Sequence, residues 1–292
     1  MSAVQPHQVP VVADLSAVPV RRLGPADLSD IVAVTGDRGW SAQLAKWQLM
    51  LAVGEAYGVP DPAGRGLAGI VVLTRYGTQL AAIGMMVVAS RYGRLGLGTR
   101  LMEYVLGLAG DAVVYLTATE YGEGLYRRLG FRELDNSVTY LGQLHPQVAA
   151  GGGRGRLRPV RPADLPAIAG YDRQVFGADR TSVLTELLGF STRYLMTEDG
   201  RGFGACWLDG DLLTVGPVAA DDVRVATMLI GALAAGWNGR IRLDILGRHS
   251  ELADWATASG LRAGHRTLLM ARGGKLPGDR SRLFSPTTVG IG

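Results

Sequence analysis

Hydrophobic positions fall into two alternating patterns along the first half of the chain. From Ile83 to Val88 they run without a break, as in a strand buried on both faces. From Leu97 to about Ala109 they recur every three or four residues, as in a helix with one face on a core. Between the two lies Gly93-Arg94-Leu95-Gly96-Leu97-Gly98, so the pattern predicts strand, glycine-rich loop and helix in succession. Around this centre, Val18 to Leu23 predicts an edge strand, and Pro25-Ala26-Asp27-Leu28 opens a helix to about Val34. Ser41 is positioned to cap a second helix with apolar positions at Leu44, Trp47 and Leu51. Leu67 to Leu73 and Gln79 to Val88 read as strands joined at Arg75-Tyr76-Gly77, a hairpin signal. Strand 112–118, helix 121–129 and strand 131–142 complete an α/β unit.

The second half repeats the first. Pro162-Ala163-Asp164-Leu165 echoes Pro25-Ala26-Asp27-Leu28, and the stretch from Ala256 to Leu261 echoes Arg127 to Phe131, an internal duplication. The expected organisation is an irregular arm (1–18), a first unit (19–148), a Gly-rich linker (149–155), a second unit (156–272) and a tail (273–292). In the repeat frame the stretch Gly96 to Leu101 falls on Arg224 to Leu229, where Cβ atoms crowd the backbone and Asp221 and Asp222 lie just upstream. That loop would repel an anion.

The first loop would attract one. Glycines at 93, 96 and 98 remove the side chains that hold a ligand off the main chain, so successive N–H groups can face one anion at the positive end of the helix. A Walker loop is excluded because Gly98 is followed by Thr99 with no lysine, and the chain has only Lys46 and Lys275. A dinucleotide loop fits poorly, since Leu101 stands where its third glycine belongs.

The loop is similar to the pyrophosphate loop of the GNAT acetyltransferases, Gln/Arg-x-x-Gly-x-Gly/Ala after an apolar strand, with Gly93 departing from the usual Gln or Arg. Gly124-Leu125-Tyr126-Arg127-Arg128-Leu129-Gly130-Phe131 resembles the ending Leu-Tyr-x-x-x-Gly-Phe of the same family. The resemblance covers about residues 19–142. It implies an α/β fold of two tandem GNAT-like domains, each a mostly antiparallel mixed sheet flanked by helices, the first catalytic and the second degenerate. It further implies an acetyl-CoA-dependent N-acetyltransferase acting on a primary amine of a small molecule or peptide. Backbone groups of Val87 and Val88 would pair with the pantetheine arm, and N–H groups of Arg94, Leu95, Gly96, Leu97, Gly98 and Thr99 would take the pyrophosphate, with charge added by Arg91, Arg94 and Arg100. Tyr126 would be the general acid. No carboxylate stands on the cofactor-facing strand, and Glu120 is the nearest in sequence for a general base, with Asp37 and Glu55 behind it. Trp40, in the turn that overlies the acceptor site in such folds, is a substrate-side residue, as is Arg180 in the stretch Phe176-Gly177-Ala178-Asp179-Arg180, unless that stretch is simply a helix end, a glycine stop and Asp179 as the cap of the next helix. The alternative is an acyl-CoA-binding regulatory or assembly protein without turnover.

Composition narrows the rest. No run of eighteen uncharged apolar residues and no basic start followed by an apolar stretch are present among 292 residues, so neither a membrane span nor a secretion signal is expected, and the cytoplasm fits. The net charge of +4 comes from scattered arginines interleaved with acids, which argues against nucleic acid as a partner. The four histidines and single cysteine have no metal-ligand spacing. A homodimer stays open. The tail from Leu283 is apolar for a chain end, and either it packs on the second unit or it crosses back so that the Gly292 carboxylate reaches the acceptor pocket.

Overall fold

The structure, a computed structural model, describes residues 15–64, 66–145 and 157–291. The arm up to residue 14, the Gly-rich linker and Gly292 therefore lie outside the described residues. In the first unit the chain forms β1 (Arg21–Leu23), α1 (Leu28–Gly36), α2 (Leu44–Val53), β2 (Glu55–Pro60), β3 (Leu67–Tyr76), β4 (Leu80–Val88), α3 (Leu97–Ala109), β5 (Val113–Ala118), α4 (Glu120–Arg128) and β6 (Arg132–Gly142). The second unit gives β7 (Leu157–Pro159), α5 (Leu165–Phe176), α6 (Thr181–Phe190), β8 (Arg193–Thr197), β9 (Gly202–Asp209), β10 (Leu212–Ala220), α7 (Val223–Ala234), β11 (Arg240–Leu246), α8 (Ser250–Ala258) and β12 (Leu261–Arg272), followed by a short β13 (Leu283–Ser285).

The duplication is visible atom by atom at the start of each unit. The Asp27 carboxylate accepts the Gly24 N–H at 2.9 Å and pairs with Arg21 at 2.6 Å; Asp164 accepts the Arg161 N–H at 2.8 Å and pairs with Arg158 at 2.7 Å. Each aspartate stops a strand and starts a helix by taking an otherwise orphaned N–H. At α2 the expected cap differs: Gln43, in the left-handed region at φ 45°, precedes the helix, and Ser41 makes no cap bond.

β2 was absent from the sequence reading. Gly58 and Pro60 erase its hydrophobic signal, but a Cβ on Gly58 would lie 2.9 Å from Leu23 Cδ1 and 3.1 Å from the Gly69 carbonyl, so close packing between strands requires the glycine.

The described strands form one sheet in the order β1-β2-β3-β4-β5-β12-β6-β11-β10-β9-β8-β7, with β13 against β10. Only β4 with β5 and β10 with β11 run parallel. The last strand of each unit has crossed into the other: β12 inserts between β5 and β6, while β6 pairs with β11. The two expected sheets are thus fused through exchanged strands. One hydrophobic cluster accordingly spans both units, joining Trp47, Leu73 and Met102 to Phe176, Leu184 and Met270; a second, around Leu229, Ile230 and Leu243, lies under α7 and α8.

The tail crosses back, and it also packs on the second unit. Leu283 and Phe284 are buried beside β10, Gly290 reaches β4, and the hydroxyls of Tyr76 and Tyr115 both donate to the Ile291 carbonyl, the latter at 3.2 Å. A Cβ on Gly84 would meet the Gly290 oxygen at 2.5 Å. Two glycines therefore let the tail touch the strand.

Candidate active site

The first unit's parallel strands pair only from Leu80 to Ile83, opposite Val113 to Leu116. On its other edge β5 pairs with β12 from Val114 to Ala118, and beyond Ile83 β4 bulges: Val72 faces Gly84 and Ile70 faces Val87, so Met85 and Met86 together oppose Val71. Met85 sits at φ 53°, a conformation costly for a side-chain-bearing residue. The bulge bends the strand and opens a wedge between β4 and β5. Val87 and Val88 keep their β3 partners and leave their β5-side edge to the wedge.

The loop that follows is built for an anion. A single 3₁₀ turn, Ser90–Tyr92, is tied down by the Tyr92 hydroxyl and the Arg91 guanidinium, both bonded to Asp61. Arg94 at φ 64° and Gly96 at φ 84° then turn the backbone so that α3 starts with Gly96 as its cap. The first N–H of α3 with an intrahelical acceptor is that of Arg100, to Gly96 at 3.1 Å; those of Arg94, Leu95, Gly96, Leu97, Gly98 and Thr99 have none among the described residues. A Cβ on Gly98 would contact Leu125, Met86 and Val88 at 3.5 to 3.8 Å, filling the space between the helix start and β4. This cradle fits a pyrophosphate. The Leu97 side chain goes into the core and that of Leu95 into solvent, so both can serve only through their backbones.

Of the three arginines expected to add charge, only Arg94 lines the cleft. Arg91 is held by Asp61, and Arg100 donates to the carbonyls of Leu15 and Val18 at 2.5 and 2.6 Å. Arg38 and Arg128 take their place, and Arg38 also lies over the Tyr121 ring at 4.8 Å across the mouth.

The cleft has a volume of about 820 Å³, and Tyr126 and Trp40 are in its wall. Burial pushes the Tyr126 hydroxyl up to about 12, so the phenol keeps its proton at neutral pH. Phe131 holds the ring edge-on at 6.0 Å. Glu120 is exposed at the start of α4 and is not part of the wall. Asp37 accepts the Ser90 N–H, and Glu55 is occupied by Tyr57 and Arg75. Among the described residues no carboxylate lines the cleft. Arg180 is elsewhere: it is buried in a two-point ion pair with Asp172, at 2.6 and 2.9 Å, and packs over Phe176, as does Arg280. Those aromatics and cations clamp the tail at the seam between the units, which accounts for the Phe-Gly-x-x-Arg stretch without a substrate.

One wall residue lay hidden in the sequence. His265 comes from β12, the exchanged strand, where Ala263 faces Tyr140 and Arg266 faces Val138, so Gly264 and His265 form a bulge opposite Thr139. Distance along the chain concealed it; only the strand exchange brings it to the cleft.

The corresponding place in the second unit is closed. Asp222 caps α7 by accepting the Val225 N–H at 2.9 Å and pairs with Arg201 at 2.7 Å, putting a carboxylate where the first unit has bare N–H groups. The wedge between β10 and β11, which pair only as far as Val215, is filled by β13. His249 stacks on Phe284 at 4.3 Å and bonds the Leu283 carbonyl at 2.7 Å, fixing that strand in place.

A splayed parallel pair present twice, open and followed by a helix-start cradle in the first unit and filled in the second, defines a tandem acyltransferase of the GNAT type. Family comparison agrees: two models described as "Acetyltransferase (GNAT) domain" match residues 59–133 and 168–285, and the chain belongs to this family with two such domains in tandem. It is 26% identical over 273 residues to the uncharacterized N-acetyltransferase YitH of Bacillus subtilis, covering 91% of this chain and 95% of that one. A crystal structure from Pyrococcus horikoshii, of a protein described as "A Putative Acetyltransferase", superposes with a TM-score of 0.80 at 21% identity, covering 94% and 96% of the two chains. A tandem GNAT protein from the clavulanic acid biosynthesis pathway gives a TM-score of 0.63 at 13% identity, with 88% and 99% covered. Among the described residues no helix is long and apolar enough to cross a membrane, and no cluster of His, Cys, Asp or Glu is placed to hold a metal.

Proposed function

We propose that the first unit uses acetyl-CoA to acetylate a primary amine of a small molecule or peptide, and that the second unit binds no cofactor of its own. The observation that carries this reading is the run of six backbone N–H groups without a partner among the described residues, at the foot of a wedge that also holds Tyr126. Acetyl-CoA, when bound, supplies the thioester acyl group. The cradle would hold its pyrophosphate, Val87 and Val88 would pair with its amide arm as a neighbouring strand does, and Arg38, Arg94 and Arg128 would balance its negative charge. Tyr126, protonated at neutral pH, would give its proton to the departing sulfur. His265 is the imidazole in the wall and would take the proton from the acceptor amine, directly or through water, the task for which Glu120 is misplaced. Trp40 would shape the acceptor side.

The test is an amine scan with acetyl-CoA, read by thiol release. Tyr126→Phe should lower kcat by about ten- to a thousandfold with little change in acetyl-CoA affinity, the signature of a lost proton donor. Unchanged kcat would return Tyr126 to a packing role.

A further inference from the structure

A second cavity, of about 330 Å³, lies where α2 of the first unit meets β9 and β11 of the second. Its wall includes Lys46 of α2, Trp207 and Asp209 of β9, Arg242 and Asp244 of β11, and Thr288 of the tail. Lys46 is only 6% exposed, and among the described residues it has no hydrogen bond from its ammonium and no ion pair. The Trp207 indole N–H likewise finds no acceptor there. Arg242 and Asp244 satisfy each other at 3.0 and 3.1 Å, and Asp244 also accepts the Thr139 hydroxyl. Asp209 accepts the Ala45 N–H at 3.3 Å and is also stabilised by the Lys46 backbone N–H, while among the described residues it makes no ion pair with the Lys46 ammonium. Asp211 is exposed at the rim.

We propose that this cavity binds a small zwitterion, a molecule with a carboxylate for Lys46 and an ammonium group for Asp209 and Asp211, of the size of a free amino acid or short dipeptide. Each alternative leaves a charge unmatched. A phosphate would face Asp209, Asp211 and Asp244 together, and a simple amine or an apolar molecule would offer the Lys46 ammonium no acceptor. Nor does the fold need the lysine, because a buried charge without a partner destabilises the native state and a methionine of similar length would fill the same space. Burial lowers the Lys46 ammonium to about 8, which leaves it charged at neutral pH and available to a carboxylate. The site is separate from the cofactor cleft, although the two share a wall: Arg38 and Trp40 face the cleft, while Ser41 to Leu44, a few residues on, border this cavity. The inference does not rest on acetyl transfer, and its test uses no turnover.

The full-length protein is titrated by calorimetry and by thermal shift with glycine, L-alanine and L-glutamine, and with propionate and propylamine as single-charge controls. A saturable rise in melting temperature with at least one amino acid, absent with the two controls, is expected. Lys46→Met should abolish the amino-acid shift and leave that caused by acetyl-CoA unchanged. Asp211→Asn, at the exposed rim where folding is not at stake, should weaken binding by about tenfold, as for loss of one charge-assisted contact. No shift with any amino acid, an equal shift with propionate or propylamine, or an undiminished shift in Lys46→Met would overturn the proposal.

Discussion

Replacing Lys46 by methionine should make the ligand-free protein more stable, by an amount that depends on pH in a defined way. Burial lowers the lysine from its ordinary 10.5 to about 8 in the folded state. At 1.36 kcal/mol per pH unit, that difference corresponds to a penalty of about 3 kcal/mol for the charged side chain. Below pH 8 the lysine is protonated folded and unfolded, and the full penalty applies. Between pH 8 and 10.5 the unfolded chain binds more protons than the native one, so wild-type stability rises with pH and the advantage of methionine shrinks. Above 10.5 it vanishes. The charged groups facing Lys46 are Arg242, Asp244 and Asp209. With an unfolding entropy of about 0.6 kcal/mol per degree for a chain of this length, the expected gain below pH 8 is about 5 °C in Tm. The assay is a pair of thermal melts at pH 7, 9 and 10.5, compared as differences so that other titrations cancel. A gain that stays constant with pH, or a methionine variant less stable at neutral pH, would refute the reasoning and show that Lys46 is held by a partner within the protein.

Three further outcomes concern the cleft. Gly96→Glu puts a side chain into a φ 84° position and a negative charge into the cradle, so the stabilisation by acetyl-CoA seen in the wild type should disappear; an equal thermal shift in both proteins would remove the cradle from the site. Calorimetry should give one acetyl-CoA per chain, because β13 and Asp222 occupy the second wedge, and two per chain would show that wedge to be open. His265→Gln should lower kcat by about ten- to a hundredfold and leave acetyl-CoA binding intact; an unchanged kcat would assign the base elsewhere.

What the sequence revealed and what it hid divide along a physical line. The glycines of the cradle, the strand before it and Tyr126 all lie within a few dozen residues of one another, and local chemistry announces them: only a backbone that needs open N–H groups or a positive φ repays so many glycines. The repeat was legible through Asp27 and Asp164, because a capping carboxylate leaves the same mark wherever a strand turns into a helix. The strand exchange left no such mark. β6 and β12 have the same alternation whichever neighbour they pair with, and nothing local says that β12 sits beside β5. His265 therefore stands in the sequence as an isolated histidine, and Lys46 as one of two lysines without a motif. Arg180 shows the converse: its motif left a substrate role and a structural one open, and the two-point pairing with Asp172 that buries it depends on the packing of α5 against α6.

The exchange also bears on how the two units can be separated. A fragment ending at residue 148 keeps the whole cradle, the wedge and Tyr126, and by linear boundaries it would be an independent acetyl-CoA-binding domain. It would lose β12, which pairs with β5 from Ala118 to Val114 and with β6 over most of its length, leaving two open edges at the centre of the sheet. It would also lose Met270, Phe176 and Ile291 from a core cluster that crosses the seam, and the tail that covers Gly84. Unpaired central edges are templates for association, and the uncovered apolar surface adds to it. The fragment should therefore melt without cooperativity or associate at micromolar concentration, with no stabilisation by acetyl-CoA. Co-expression with a fragment beginning at residue 149 should restore a cooperative transition, a ligand shift and a one-to-one complex, since each piece supplies the strand the other lacks. A monomeric fragment 1–148 that melts cooperatively and is stabilised by acetyl-CoA as strongly as the full chain would show that the exchanged strand is dispensable, and with it the second unit's share in the first unit's site.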